Sequence, residues 1–146
     1  MTITPLTKES IDTVIANISG VHRAEAEAFG LTIEETKAIF LRHIGAPFSG
    51  VFCGEDGGPF ALIALETVDT MRWRVRFVAA EESLRRRGLG ITRFLKDFSD
   101  RIVADTGGKI EVLSSPMTEI SQSWIAFMGF RLEGYDGKTG TFLKEG

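Results

Sequence analysis

The sequence predicts a mixed α/β sheet, and three observations carry that prediction. The apolar residues keep a helical spacing in the N-terminal third, alternate strictly in the middle, and then switch back and forth. Two Asp-Gly pairs, Asp56-Gly57 and Asp136-Gly137, each lie between strand-like runs and so mark hairpins with antiparallel neighbours. The alternating stretch "RWRVRFVAA" is followed by a helical stretch and then by "KIEVLSS", an order that calls for some parallel pairing.

Each element follows from its own residues. "TITPL" reads as a short first strand. Thr7 then caps a helix with Ile11, Val14, Ile15 and Ile18 on one face, stopped by Gly20. "VHRAEAEAF" is rich in helix formers and ends at Gly30. "TIEETKAIFLRHIG" opens with a capping box, Thr32 to Glu35, and aligns Ile33, Phe40, Leu41 and Ile44. "FSGVFCG" and "PFALIALETV" flank "EDGG" as a hairpin. In "RWRVRFVAA", Trp73, Val75 and Phe77 take one face and Arg72, Arg74 and Arg76 the other. Ile91, Phe94, Leu95, Phe98 and Ile102 form a helical stripe that Gly107-Gly108 ends. After "KIEVLSS", "SPMTEISQSWIAFMG" reads as a helix with Ile120, Trp124, Phe127 and Met128 along a core-facing side. "FRLEGYDGKTGTFLKE" closes the chain as a hairpin.

Composition narrows the function. A chain of 146 residues suits one domain, expected over 1–146, and is long enough to bury a core without staples. The net charge of −3 argues against a broad nucleic-acid interface. One cysteine, Cys53, leaves no internal disulfide, and Cys53, His22 and His43 are too few and too scattered for a structural zinc site. No apolar run is long enough to span a bilayer, and "MTITPLTKES" lacks a basic-then-apolar leader pattern. The expectation is a cytoplasmic protein with no nucleic-acid, membrane or metal partner; a homodimer is left open.

The stretch that carries chemistry is "ESLRRRGLGITRFLKDF". Three arginines stand against two glycines between an alternating strand and an amphipathic helix. A helix opening at these glycines would present free backbone N–H groups and the positive end of its dipole. Gly88 and Gly90 would let a ligand approach the backbone, and Arg85, Arg86 and Arg87 would add charge with bidentate reach. This is an anion cradle suited to a pyrophosphate. Glu81 and Glu82 are expected in the loop before it.

"RRRGLG" resembles the Gln/Arg-x-x-Gly-x-Gly/Ala signature of the GNAT N-acetyltransferases. "SQSWIAFMGF" is similar to that family's second marker, a helix ending in Gly-Phe before the sixth strand, and the element order matches over nearly the whole chain. The resemblance implies a GNAT fold, with a mostly antiparallel sheet of about six or seven strands and a V-shaped splay between the fourth and fifth. It implies acetyl-CoA as co-substrate, with its pyrophosphate on Arg85, Arg86, Arg87, Gly88, Leu89 and Gly90. Its pantetheine arm would lie along Val78, Ala79 and Ala80. The implied reaction is acetyl transfer to a small-molecule or protein amine. The compact layout is also similar to small GNAT-like proteins of tailed phages, which implies a second function class, a non-catalytic structural or interaction module.

The chain departs from that family where the catalytic groups should be. The position of the common base on the fourth strand is Arg74, which cannot accept a proton. Ile125 stands where many relatives carry an acidic tyrosine, and Thr118 replaces an asparagine early in the same helix. The remaining candidates are Glu111 as base and Ser121 as proton donor. Tyr135 near the last turn reads as a surface or packing residue, and Glu66 late on the third strand as a solvated or paired strand residue. The stripe Arg72, Arg74, Arg76 reads either as a sheet face that is solvated or covered by acidic helices, such as one bearing Glu25 and Glu27, or as a cleft preferring acidic acceptors. "DGKT" lacks the first glycine of a P-loop, and His22 and His43 read as surface or locally hydrogen-bonded residues.

Overall fold

The computed structural model describes residues 2–146. Along the chain run β1 (Thr2–Thr4), α1 (Lys8–Ala16), α2 (Gly20–Ala28), α3 (Ile33–Arg42), β2 (Gly50–Cys53), β3 (Pro59–Asp69) and β4 (Arg72–Ala79). Then follow α4 (Glu81–Thr106), β5 (Lys109–Ser114), α5 (Glu119–Phe127), β6 (Arg131–Tyr135) and β7 (Gly140–Glu145). The seven-stranded sheet has the order β1-β2-β3-β4-β5-β7-β6. β4 and β5 are parallel, and β1–β2, β2–β3, β5–β7 and β6–β7 are antiparallel. The β4–β5 ladder covers three pairs, Arg72↔Lys109 to Arg74↔Glu111, whereas β5 follows β7 along its whole length. The short ladder is the splay expected between the fourth and fifth strands.

The chain forms two compact units, Met1–Leu65 with Arg76–Arg86 and Glu66–Val75 with Arg87–Gly146. In the first, Ile11, Val14 and Ile15 of α1 pack with Phe40 of α3 and with Val51, Leu62, Ala64 and Val78 of the strands. Each of these side chains except Ala64 contributes about 1.5–3 kcal/mol by leaving water. Thr7 and Thr32 both close the capping boxes that "TKES" and "TIEE" encode. In the second unit, Ile91, Leu95, Ile102 and Val103 of α4 are buried, as are Ile110, Phe142 and Leu143. Lys144 is buried too. Its Nζ donates to Met128 O at 2.6 Å and Ser99 Oγ at 2.8 Å and pairs with Asp100 at 2.6 Å, so its three protons are all placed. The Lys144 ammonium, and then that of Lys96, holds the Asp100 carboxyl below the usual range.

Three expectations are corrected. α4 opens at Glu81, not at the glycines, so "RRRGLG" is helical and Glu81 and Glu82 form its first turn. "EESLRRR" is a run of helix formers with acids at the dipole's positive end and Arg85 one turn beyond Glu81, which outweighs two glycines. α5 buries Ile125 and leaves Ile120, Trp124 and Phe127 exposed. Its apolar residues occupy both faces of a nine-residue helix, so period alone did not choose one. In α3 the inward residues are Thr36, Ile39 and Phe40, while Leu41 and Ile44 face outward.

The α4–β5 turn depends on the absence of a side chain. Gly107 takes φ +70°, and a Cβ on Gly108 would lie 2.7 Å from Met71 O and 2.5 Å from the Trp73 ring. Lys109 N donates to that same Met71 carbonyl at 2.8 Å, so it cannot retreat freely. Gly108→Ala is expected to destabilise the fold by about 1–3 kcal/mol. A denaturant midpoint equal to that of the unaltered protein would refute this.

Candidate functional site

The end of β4 was expected to be an open edge for the pantetheine arm, at Val78, Ala79 and Ala80. The structure fills much of that edge from within the chain. Ala80 N donates to Phe60 O on β3 at 2.8 Å, so the groups of Ala79 face the other way. Ser19 N donates to Ala79 O at 2.9 Å and Glu81 N to Asn17 O at 2.9 Å, an antiparallel bridge centred on Ile18 and Ala80. Ala79 N donates to Nδ1 of His22 at 3.2 Å. A backbone N–H can only donate, so Nδ1 is the acceptor and the ring proton sits on Nε2. Burial pushes the His22 imidazole down to about 4, so it is neutral, and its ring stands edge-on to Phe77 at 5.4 Å. His22 is therefore locally hydrogen-bonded as expected, but it is a core residue rather than a surface one.

The signature residues lie along α4 in sequence order. Arg85 and Arg86 are exposed, and Arg87 is half-buried. Arg85 reaches Glu81 at 3.4 Å, and the other Glu81 oxygen accepts from Gly20 N at 2.9 Å. Leu89 is 62% exposed. Gly88 has no positive φ, and a Cβ placed on it would meet nothing within 4 Å. In place of free first-turn amides, this segment offers arginine side chains around a bare stretch of helix.

Glu111 is 2% exposed and clamped. Its Oε1 accepts from Arg72 Nε at 2.7 Å and its Oε2 from Arg74 Nε at 2.8 Å. Arg72 also meets Glu133 at 2.7 Å. Two of the three stripe arginines are thus occupied by carboxylates of the neighbouring strands β5 and β6, not by those of an acidic helix. Ser121 is the third residue of α5 and belongs to its capping box, 3.1 Å from Thr118 Oγ1 and 3.0 Å from Thr118 O. Ser114 Oγ donates to it at 3.3 Å. Among the described residues, no three His, Cys, Asp or Glu side chains gather to hold a metal ion. No helix among them is long and apolar enough to cross a membrane.

One titratable group was missed as a candidate. His22 and Ala26 form the buried side of α2, and Glu25 lies one turn from His22, between them and half-buried. Burial pushes its carboxyl up to about 7, with Arg76 of β4 pulling the other way. Among the described residues its carboxyl receives no hydrogen bond. The signal in "HRAEA" was spacing: Glu25 shares the inward face with His22 and Ala26, while Glu27 does not.

No family model and no curated protein matches this sequence. Solved structures do. Ard1 from Thermoplasma volcanium is 14% identical, over 98% of this chain and 95% of that one, with a TM-score of 0.68. A chimera of the spermidine N-acetyltransferase SpeG from Vibrio cholerae with hSSAT is 11% identical, over 99% and 96%, with a TM-score of 0.68. A GNAT superfamily phosphinothricin acetyltransferase from Sinorhizobium meliloti, in complex with AcCoA, is 13% identical, over 98% and 86%, with a TM-score of 0.66. The sheet order, the parallel β4–β5 pair and these likenesses define the class: the chain has the GNAT fold.

Proposed function

We propose that this GNAT-fold protein binds acetyl-CoA and transfers its acetyl group to an amine. The observation that carries the reading is Gly88. A glycine inside a helix costs about 0.5–1 kcal/mol relative to alanine. Neither backbone conformation nor packing requires one here. Its bare backbone is explained by a group that comes from outside. Exposed Arg85 and Arg86 beside it suit the oxygens of a pyrophosphate. The AcCoA complex of the Sinorhizobium meliloti acetyltransferase supports the choice of ligand.

In this reading Arg85, Arg86, Arg87, Gly88, Leu89 and Gly90 receive the pyrophosphate. Val78, Ala79 and Ala80 lie toward the arm, and pairing at Ala79 requires Asn17–His22 to release the strand edge. Acetyl-CoA supplies an activated thioester. The amine nitrogen attacks its carbonyl carbon, and the carbon–sulfur bond breaks with the electron pair leaving on sulfur. Glu111 and Ser121 take structural roles, as clamp and cap.

The test separates binding from folding. Acetyl-CoA at about 100 times its Kd should stabilise the protein by about 2.7 kcal/mol. Gly88→Ala should raise the ligand-free stability by about 0.5–1 kcal/mol, and Gly88→Leu should remove the acetyl-CoA shift from a folded protein. Thiol release from acetyl-CoA is then followed with phosphinothricin, spermidine and a lysine-containing peptide. A Gly88→Leu protein that keeps its full shift would overturn the site, and a wild type without any shift would overturn the function.

Two observations favour a second reading, a GNAT-fold protein that does not turn over acetyl-CoA. α4 runs unbroken through the signature, and the Ala79 edge is occupied. That reading predicts no shift with acetyl-CoA and no thiol release.

A further inference from the structure

The strand edge that the arm of acetyl-CoA would use is taken by the chain itself. Ala79 O accepts from Ser19 N at 2.9 Å, and Ala79 N donates to His22 Nδ1 at 3.2 Å. Glu81 N donates to Asn17 O at 2.9 Å, and the Glu81 carboxylate accepts from Gly20 N at 2.9 Å. Asn17–His22 thus lies against the end of β4 as a short extra strand would. All of these residues belong to the first compact unit.

Three features make this contact easy to release. The buried residues of α2 are His22 and Ala26, whereas α1 sends Ile11, Val14 and Ile15 into the core. His22 is itself part of the contact, so its release leaves α2 held by little apolar burial, and such elements open at low cost. The imidazole also keeps a partner when it lets Ala79 go, because Ser19 Oγ lies 2.8 Å from Nδ1 within the same turn. At the far end, the second Glu81 oxygen meets Arg85 at 3.4 Å, with both side chains more than half exposed. An ion pair of that kind contributes little, and Arg85 is one of the residues assigned to the pyrophosphate.

We propose that Asn17–His22 is an internal latch that closes the Ala79 edge in the free protein and that acetyl-CoA displaces when it binds. The secondary amides of the pantetheine arm then take over the bonds made by Ser19 N and His22 Nδ1, while the pyrophosphate draws Arg85 from Glu81. The inference rests on the acetyl-CoA reading. Only the open form binds, so the apparent Kd is the intrinsic one divided by the open fraction. Weakening the latch therefore tightens binding while it lowers the stability of the free protein. A contact with a purely structural role would lower stability without tightening binding.

The experiment locks the latch in one variant and loosens it in another. Ile18 and Ala80 face each other across the bridge, with the hydrogen bonds on the residues beside them. Such a pair has Cα atoms about 4.5 Å apart, within the reach of a disulfide. Ile18→Cys with Ala80→Cys is oxidised, and peptide mapping checks the bridge against the buried Cys53. The oxidised form should melt higher than its reduced form without ligand and bind acetyl-CoA about tenfold or more weakly. Reduction should restore binding. Glu81→Ala removes the acceptor of Gly20 N and the partner of Arg85. It should lower the free protein's stability and tighten acetyl-CoA binding by about threefold or more. In wild type, acetyl-CoA should speed hydrogen exchange at the Ser19 amide. If wild type shifts with acetyl-CoA but oxidised and reduced forms bind alike, or Glu81→Ala binds no more tightly, the latch is refuted and the acetyl-CoA reading stands. If wild type shows no shift, both fail.

Discussion

Between about pH 4.5 and 6.5 the contributions of His22 and Glu25 to stability are expected to run in opposite directions and nearly cancel, so that two single substitutions tilt the stability curve in opposite senses. Burial moves the His22 imidazole from its ordinary 6.5 to about 4. Below pH 6.5 the unfolded chain therefore binds a proton that the fold refuses, so this contribution is lost as the pH falls toward 4. Glu25 acts in the reverse sense, because burial moves its carboxyl from 4.5 to about 7. The fold keeps a proton that the unfolded chain has released, so this contribution is full below 4.5 and is lost as the pH rises through 7. At 1.36 kcal/mol per pH unit, His22 contributes on the order of 3 kcal/mol, and Glu25, with some water contact, on the order of 2 kcal/mol. The Glu81 carboxylate tempers the first shift and Arg76 the second. Urea unfolding from pH 4.5 to 7.5 measures this. Glu25→Gln should gain stability with rising pH, and His22→Asn, which keeps an acceptor for Ala79 N–H, should lose it. Three parallel curves would show that neither group is shifted as described.

Removing Glu111 is expected to cost about 3 kcal/mol, because it leaves two guanidinium groups without the carboxylate between them. The figure sits at the low end for a broken buried pair, since the Arg72 and Arg74 side chains remain 25% and 32% exposed. Glu111→Gln should fall between wild type and Glu111→Ala, because its amide oxygen can serve one arginine while its NH2 opposes the other. Glu133→Ala, at the exposed end of the same chain of charges, should change little. Equal denaturation midpoints for Glu111→Ala and wild type would show that the clamp contributes nothing.

Much of the fold was legible because its signals are local. Thr7 and Thr32 cap their helices through residues three positions on, and the Asp-Gly pairs turn within four residues. The strand faces of "RWRVRF" follow from alternation alone. The candidate site was legible only as a string of residues. "RRRGLG" named a segment and a ligand class, but the start of α4 depended on competition between glycines and seven preceding helix formers. The pairing of Ala79 with Asn17–His22 joins residues about sixty positions apart, and no periodicity reports it.

The sequence by itself determined the order of elements, the hairpins, the capped helices and the glycine–arginine segment, since each depends on neighbours within a turn or two. Only the tertiary structure decided what the charged residues do. Arg72 and Arg74 became clamps because the parallel register sets Glu111 beside them. Glu25 became a group poised near neutrality because α2 turns that side inward. Ionic character is written in a side chain, but its protonation and its partners depend on water excluded and charges brought close by distant segments, and those exist only in the folded chain.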